Sequence, residues 1–187
     1  PAMLAEIAEV GRIAAGAGVH FAVGLSTAFG CTIEGAVNEE QVVKLAARAA
    51  EAGAQEFSLS DTTGYADPAQ VRRLIRKLRG AVGESLTTLH LHNTRGLGLA
   101  NALAGLDEGI TTLDASLGGL GGCPYAPGAS GNVVTEDLVF MFEAMGVHTG
   151  VNLERLIAAR APLLQGLPGE PIYGMTPEAG LPRGFRS

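Results

Sequence analysis

Strand-like apolar runs alternate with helix-like amphipathic runs along this chain, and this alternation restricts the fold more than any other feature. The pattern predicts four strands, at residues 19–25, 56–59, 86–91 and 111–117. Asn38 and the pair Asp67-Pro68 stand where helix N-caps are expected. Strands recur about every 30 residues, the length of a βαβ unit, so we expect an α/β chain with a parallel sheet. The sheet is either doubly wound or part of a (β/α)8 TIM barrel, and in a barrel four strands are half of the total.

Composition narrows the class of protein. The chain has 187 residues, of which 47% are hydrophobic and 17% charged, which is typical of one globular domain. A net charge of −6 without a basic cluster argues against nucleic acid and membrane partners. Two cysteines are too few for a disulfide framework, and we see no signal peptide or membrane span, so we predict a cytoplasmic protein. Residues 167–187 are rich in Pro and Gly, and we expect an irregular tail there.

The strand at 86–91 carries the strongest chemical signal. His90 and His92 are two residues apart, so their side chains point to the same face of the strand. Two convergent imidazoles at a strand's end favour a metal site over two core histidines. Asn132, in a later Gly-rich run, is a candidate third ligand through its carbonyl oxygen, or else a turn residue. Nitrogen and oxygen ligands without thiolate suit Mg²⁺ or Mn²⁺.

Two further residues have open interpretations. Cys123 lies between Gly122 and Pro124, where its thiol can either exchange a proton with a substrate or serve as a small packing residue. Asp61 follows the second strand and either holds a substrate hydroxyl or metal-bound water, or forms an Asx turn. In parallel α/β folds such residues collect at the carboxyl ends of the strands.

Taken together, these motifs resemble the 3-hydroxy-3-methylglutaryl-CoA lyase family. The resemblance rests on the Gly-Gly-Cys-Pro-Tyr-Ala loop at 121–126, continuing to Asn132, on His90-Leu91-His92 and on Leu59-Ser60-Asp61-Thr62-Thr63-Gly64. It covers nearly the whole chain and implies a TIM barrel of which this chain is the second half, with four strands and C-terminal helices. We therefore expect residues 1–187 to be the C-terminal portion of one barrel domain, without the Asp ligand, Arg and acidic residue that the family carries on its first strands.

The resemblance also implies roles. His90, His92 and Asn132 match the family's metal ligands, Cys123 matches its catalytic cysteine, and Ser58 and Asp61 match polar positions near the substrate. The implied reaction is metal-dependent cleavage of a 3-hydroxyacyl-CoA to acetyl-CoA and a keto acid, as in leucine catabolism, by a homo-oligomer. Alternatives are a related acyl-transferring synthase of the isopropylmalate type and an inactive fragment.

One short stretch departs from the family pattern. After the second histidine the family usually has Asp and then Tyr, where this chain has Asn93 and Arg95. Arg95 either binds a substrate carboxylate or phosphate, or is a solvated residue at a helix start.

A half barrel would also expose its inner face, which we expect to be apolar and to favour association.

Overall fold

Four parallel strands form a single sheet in the structure, a computed structural model that describes residues 2–122 and 131–185. Their order is β1-β2-β3-β4, with β1 at Ala22–Leu25, β2 at Glu56–Asp61, β3 at Leu86–Leu91 and β4 at Thr112–Asp114. Within the described residues β1 and β4 each pair with one strand only, so both edges of the sheet are open. This is the α/β architecture of a partial barrel, as the sequence predicts.

Helices precede, connect and follow the strands. Helix α1 spans Ala2–Ala17, and the crossovers are α2 (Glu39–Glu51), α3 (Pro68–Val82) and α4 (Gly98–Asp107). The side chain of Asn38 accepts hydrogen bonds from two backbone N–H groups of α2, and Asp67 caps α3 in the same way ahead of Pro68. These caps confirm both predicted helix starts. The predicted end of α3 at Gly80 is wrong, because the helix runs on to Val82 and Gly83 takes the positive φ of 61°.

The core lies between the sheet and these helices. Pairing places Leu25, Leu59, Leu89 and Leu113 in one row across the sheet, facing the helices. Leu59 and Leu89 are fully buried, as are the α3 residues Leu74 and Ile75. Burying such a side chain stabilises the fold by about 1.5–3 kcal/mol.

The opposite face of the sheet, which would line a barrel, is polar. Pairing places Gly24, Ser58, Thr88 and Thr112 in one row of this face. A second row, nearer the carboxyl ends, contains Ser60, His90 and Asp114. Our expectation of an apolar inner face is therefore wrong, because the apolar residues of each strand alternate toward the helices.

The first and last strands are shorter than predicted. Strand β1 begins at Ala22 rather than residue 19 and alternates between exposed and half-buried side chains, and β4 ends at Asp114 rather than residue 117.

The C-terminal part packs beside α4. Its helices are α5 (Thr135–Ala144), α6 (Leu153–Ala158), α7 (Arg160–Gly166) and α8 (Met175–Ala179). The loop after α5 is held by Glu143, whose carboxylate accepts hydrogen bonds from the N–H and hydroxyl of Thr149, both at 2.6 Å. Helix α8 lies inside the segment expected to be irregular and was not found from sequence. Within the described residues, no helix has the length and apolar character needed to cross a bilayer.

Candidate metal centre

Strand β3 brings the two histidines together at the carboxyl end of the sheet. The Nε2 atoms of His90 and His92 lie 3.2 Å apart, and the rings meet edge to face with centroids 5.1 Å apart. This confirms that the two imidazoles share one face and shows that equivalent nitrogens face each other. At this distance one Nε2 donates a hydrogen bond to the other, and the lone pairs of both could bind one cation once that proton has left.

Asp114 orients the first histidine. Its Oδ1 lies 2.7 Å from Nδ1 of His90, and the two residues are neighbours in the β3–β4 register. Because a carboxylate accepts hydrogen bonds, Nδ1 of His90 donates and Nε2 keeps its lone pair for a metal. Sequence reasoning missed Asp114. The available signal was a carboxylate at the end of an apolar strand, but its register with His90 requires the sheet.

The surroundings of the two histidines shift their pKa values in opposite directions. The hydrogen bond to Asp114 raises the pKa of His90, against an opposing effect of burial. Burial lowers the pKa of His92, and the neighbouring His90 lowers it further. His92 therefore loses its proton more readily than His90, and a histidine must be neutral to bind a metal.

Asn132 joins the site through a backbone bridge. Residues His92 and Asn132 form an isolated antiparallel bridge, which places their side chains on the same side. The Nδ2 group of Asn132 donates to Ser116 Oγ at 2.9 Å and to the carbonyl of Leu120 at 2.7 Å. Its Oδ1 atom is buried and has no hydrogen-bond partner among the described residues. The amide is thus fixed with its oxygen free, which is the orientation that a cation ligand needs.

The donor set fits a divalent cation in kind but not in number. Two imidazole nitrogens and one amide oxygen suit Mg²⁺ or Mn²⁺, which favour about six ligands. Among residues 2–122 and 131–185, no group of three or more His, Cys, Asp or Glu side chains is arranged to hold a metal. Further ligands would have to come from substrate, water or protein outside these residues.

Asp61 and Ser58 both lie on β2, but the alternation of the strand places them on opposite faces of the sheet. The carboxylate of Asp61 is buried and accepts hydrogen bonds from the N–H groups of Tyr65 at 2.8 Å and Ala66 at 3.2 Å. These bonds reach four and five residues along the chain, so they close a longer loop than an Asx turn does. Burial raises the pKa of Asp61 even though these N–H groups favour its charged form. Ser58 faces the sheet's polar side, two residues or roughly 7 Å below the level of His90.

Arg95 connects two loops at the same edge. Its Nη1 donates to the carbonyls of Thr63 at 3.2 Å and Gly64 at 2.9 Å, and its guanidinium lies 4.4 Å from the ring centre of Tyr65. The side chain is therefore ordered on the β2–α3 loop rather than simply solvated.

Cys123, the expected catalytic cysteine, lies outside the described residues.

The fold and this site define the class: half of a (β/α)8 barrel with a candidate metal centre at the carboxyl ends of its strands. The family described as HMGL-like matches residues 5–162. The chain therefore belongs to the HMGL-like family, and the resemblance read from its motifs is confirmed.

Individual relatives agree with this assignment. The (R)-citramalyl-CoA lyase of Chloroflexus aurantiacus is 46% identical over 163 residues, which are 87% of this chain and 51% of that protein. The hydroxymethylglutaryl-CoA lyase of Bacillus subtilis is 48% identical over 148 residues, or 79% of this chain and 49% of that protein. The chain thus spans about half the length of these relatives.

Solved structures show the same relationship. An HMG-CoA lyase from Acinetobacter baumannii, in complex with coenzyme A and 3-methylmalate, superposes with a TM-score of 0.87 at 39% identity. The alignment covers 98% of this chain and 59% of that one. The match in fold therefore extends through the C-terminal helices.

Proposed function

We propose that this chain is the metal-binding half of a carbon–carbon lyase that cleaves a short-chain 3-hydroxyacyl-CoA. One observation carries the proposal: the Nε2 atoms of His90 and His92 face each other at 3.2 Å, and His92 is bridged through its backbone to Asn132, whose carbonyl oxygen has no hydrogen-bond partner among the described residues. The relatives named above act on CoA esters, which supports the substrate class.

The proposed reaction breaks the bond between C2 and C3 of the acyl group. The C3 hydroxyl loses its proton as C3 becomes a ketone, and C2 leaves as the enolate of acetyl-CoA and takes up a proton. A divalent cation held by the three ligands would supply positive charge beside the hydroxyl and carboxylate oxygens of the substrate. Asp114 accepts the Nδ1–H of His90 and so favours its ligand tautomer, and burial lowers the pKa of His92, which favours its neutral form. We assign protonation of C2 to the Cys123 thiol.

We further propose that Arg95 provides a second positive charge for the acid group of the substrate. Its Nη1 is committed to two backbone carbonyls, which holds the guanidinium at the edge where substrate would enter. We assign its other N–H groups to a carboxylate or to a phosphate of coenzyme A.

Ser58 and Asp61 stay predictions as substrate contacts. Cytoplasmic location, a homo-oligomeric state and a role in leucine catabolism likewise stay predictions.

The test is acyl-CoA cleavage by the natural protein that contains this chain. The protein would be stripped of metal, supplied with Mg²⁺ or Mn²⁺, and given 3-hydroxy-3-methylglutaryl-CoA or (R)-citramalyl-CoA. Release of acetyl-CoA with acetoacetate or with pyruvate, dependent on added metal, supports the proposal and separates the two substrates. Cleavage of neither ester, or equal cleavage without metal, would contradict it.

A further inference from the structure

A segment near the C-terminus lies against the turn that holds Asn132. This segment, residues 172–176, is called the C-terminal segment below. It follows helix α7 and ends in the first turn of α8. The match to the HMGL-like family ends at residue 162, so the family match assigns it no role.

A buried ion pair anchors the start of the C-terminal segment. The carboxylate of Glu136 is fully buried and accepts hydrogen bonds from the N–H of Gly118 at 3.0 and 3.2 Å. Nη1 of Arg160 lies 2.5 Å from the same carboxylate and donates to the carbonyl of Tyr173 at 2.7 Å. One guanidinium therefore joins α5, the turn at Gly118 and the C-terminal segment, in a place where the Arg160 side chain is only 11% exposed.

Two further sets of bonds fix the segment. The N–H of Tyr173 donates to the carbonyl of Gly118 at 2.8 Å. The carboxylate of Asp137 accepts from the N–H groups of Met175 at 2.9 Å and Thr176 at 2.7 Å. Three backbone N–H groups of the segment are thus bound by α5 and by the turn before the Gly-rich loop.

Gly118 and Gly119 let the C-terminal segment and the Asn132 backbone approach the turn closely, because neither glycine carries a side chain. Ile172 lies directly against Gly118, and any Cβ at Gly118 would collide with it. A Cβ at Gly119 would lie 3.2 Å from the backbone oxygen of Asn132. The C-terminal segment and the backbone of Asn132 therefore pack closely on this turn, on Gly118 and Gly119 respectively.

The same turn orients the Asn132 side chain. Leu120, the next residue, accepts one hydrogen bond from its Nδ2, and Ser116, on the other side of the turn, accepts the second. A shift of the turn would move both acceptors together and rotate the amide. The position of Oδ1 consequently depends on what holds the turn.

We propose that Arg160 and the C-terminal segment are positioning elements that aim the carbonyl oxygen of Asn132 at a divalent cation. The proposal rests on the metal site of the proposed function. They would act through the Gly118–Gly119 turn without contacting the metal.

The test measures metal binding by the natural protein that contains this chain. Arg160→Met removes the cation and keeps an apolar stem, Arg160→Lys keeps the charge, and Arg155→Met is the matched control because Arg155 is exposed on α6. Mn²⁺ affinity comes from calorimetry and ligand geometry from the visible spectrum of bound Co²⁺, at a temperature where circular dichroism shows each variant folded. We expect Arg160→Met to weaken Mn²⁺ binding about tenfold or more and to change the Co²⁺ spectrum. Arg160→Lys should recover part of the affinity, and Arg155→Met should match the wild type.

A second variant tests the positioning role if Arg160→Met does not fold. Ile172→Ala keeps both residues of the ion pair and shortens the side chain that lies against Gly118. We expect a smaller loss of affinity with the same spectral change. Folded variants with wild-type affinity and spectrum would overturn the positioning role while leaving the metal site in place. A wild-type protein that binds no Mn²⁺ would instead overturn the metal site, and the positioning role with it.

Discussion

Asp114→Asn should weaken the metal site without changing its ligands. The carboxylate of Asp114 accepts the Nδ1–H of His90 at 2.7 Å. An amide at this position either presents its oxygen, which carries less negative charge, or presents its NH₂ group, which reverses the tautomer of His90. In both cases Nε2 becomes a poorer ligand.

The exposure of Asp114 sets the size of the effect. Removing a partner that orients a metal-bound histidine typically costs 10- to 100-fold in affinity, or about 1.4–2.8 kcal/mol. The Asp114 side chain is 56% exposed, so water replaces part of the lost interaction. We therefore expect the lower end of that range, about tenfold in the Mn²⁺ dissociation constant and about 1.4 kcal/mol.

The assay is calorimetric Mn²⁺ titration of the natural protein that contains this chain, with Asp107→Asn as the matched control. Asp107 is 51% exposed and pairs with Arg72 at 2.7 Å, away from the site. The control should keep wild-type affinity and lose only a surface ion pair. Equal Mn²⁺ affinity in wild type and Asp114→Asn would refute the role given to Asp114.

The remaining predictions concern the ligands, the thiol and one stabilising carboxylate. Alanine at either His90 or His92 should abolish metal-dependent cleavage while the far-ultraviolet circular dichroism spectrum persists; activity that survives would exclude that histidine as a ligand. Cys123→Ser should keep metal affinity and lose most turnover, because a hydroxyl is far less acidic than a thiol, whereas Cys31→Ser should have no such effect. Equal rates for the two serine variants would make Cys123 a packing residue. Hydrogen bonds from the following loop lower the pKa of Glu143 in the folded state, so its stabilising effect should be present above about pH 4.3 and disappear as the pH falls through the folded-state value. Urea unfolding should thus show Glu143→Gln less stable than wild type at pH 7 and equal to it in acid, and a pH-independent difference would contradict this.

Local patterns made the helix–strand order and half of the site predictable. The period of two along β3 placed His90 and His92 on one face, and cap residues such as Asn38 marked helix starts. These features depend on residues within a few positions of one another. Motif resemblance then identified the family.

Features that depend on pairing between distant segments were not predictable. Asp114 contacts His90 only because of the β3–β4 register, and Arg160 meets Glu136 only after the C-terminal helices pack. The inner face was mispredicted because its side chains follow from the pairing of all four strands, which the sequence alone does not show. The pairing rows show that Ser58 and its neighbours form a polar lining instead.

The central claim is that His90, His92 and Asn132 together hold a divalent cation. Crystals of the natural protein containing this chain, grown with Mn²⁺, would locate the ion by its anomalous scattering. We predict a peak about 2.0–2.3 Å from Nε2 of both histidines and from Oδ1 of Asn132. Crystals without a peak at this position, or with one coordinated by other side chains, would contradict the account.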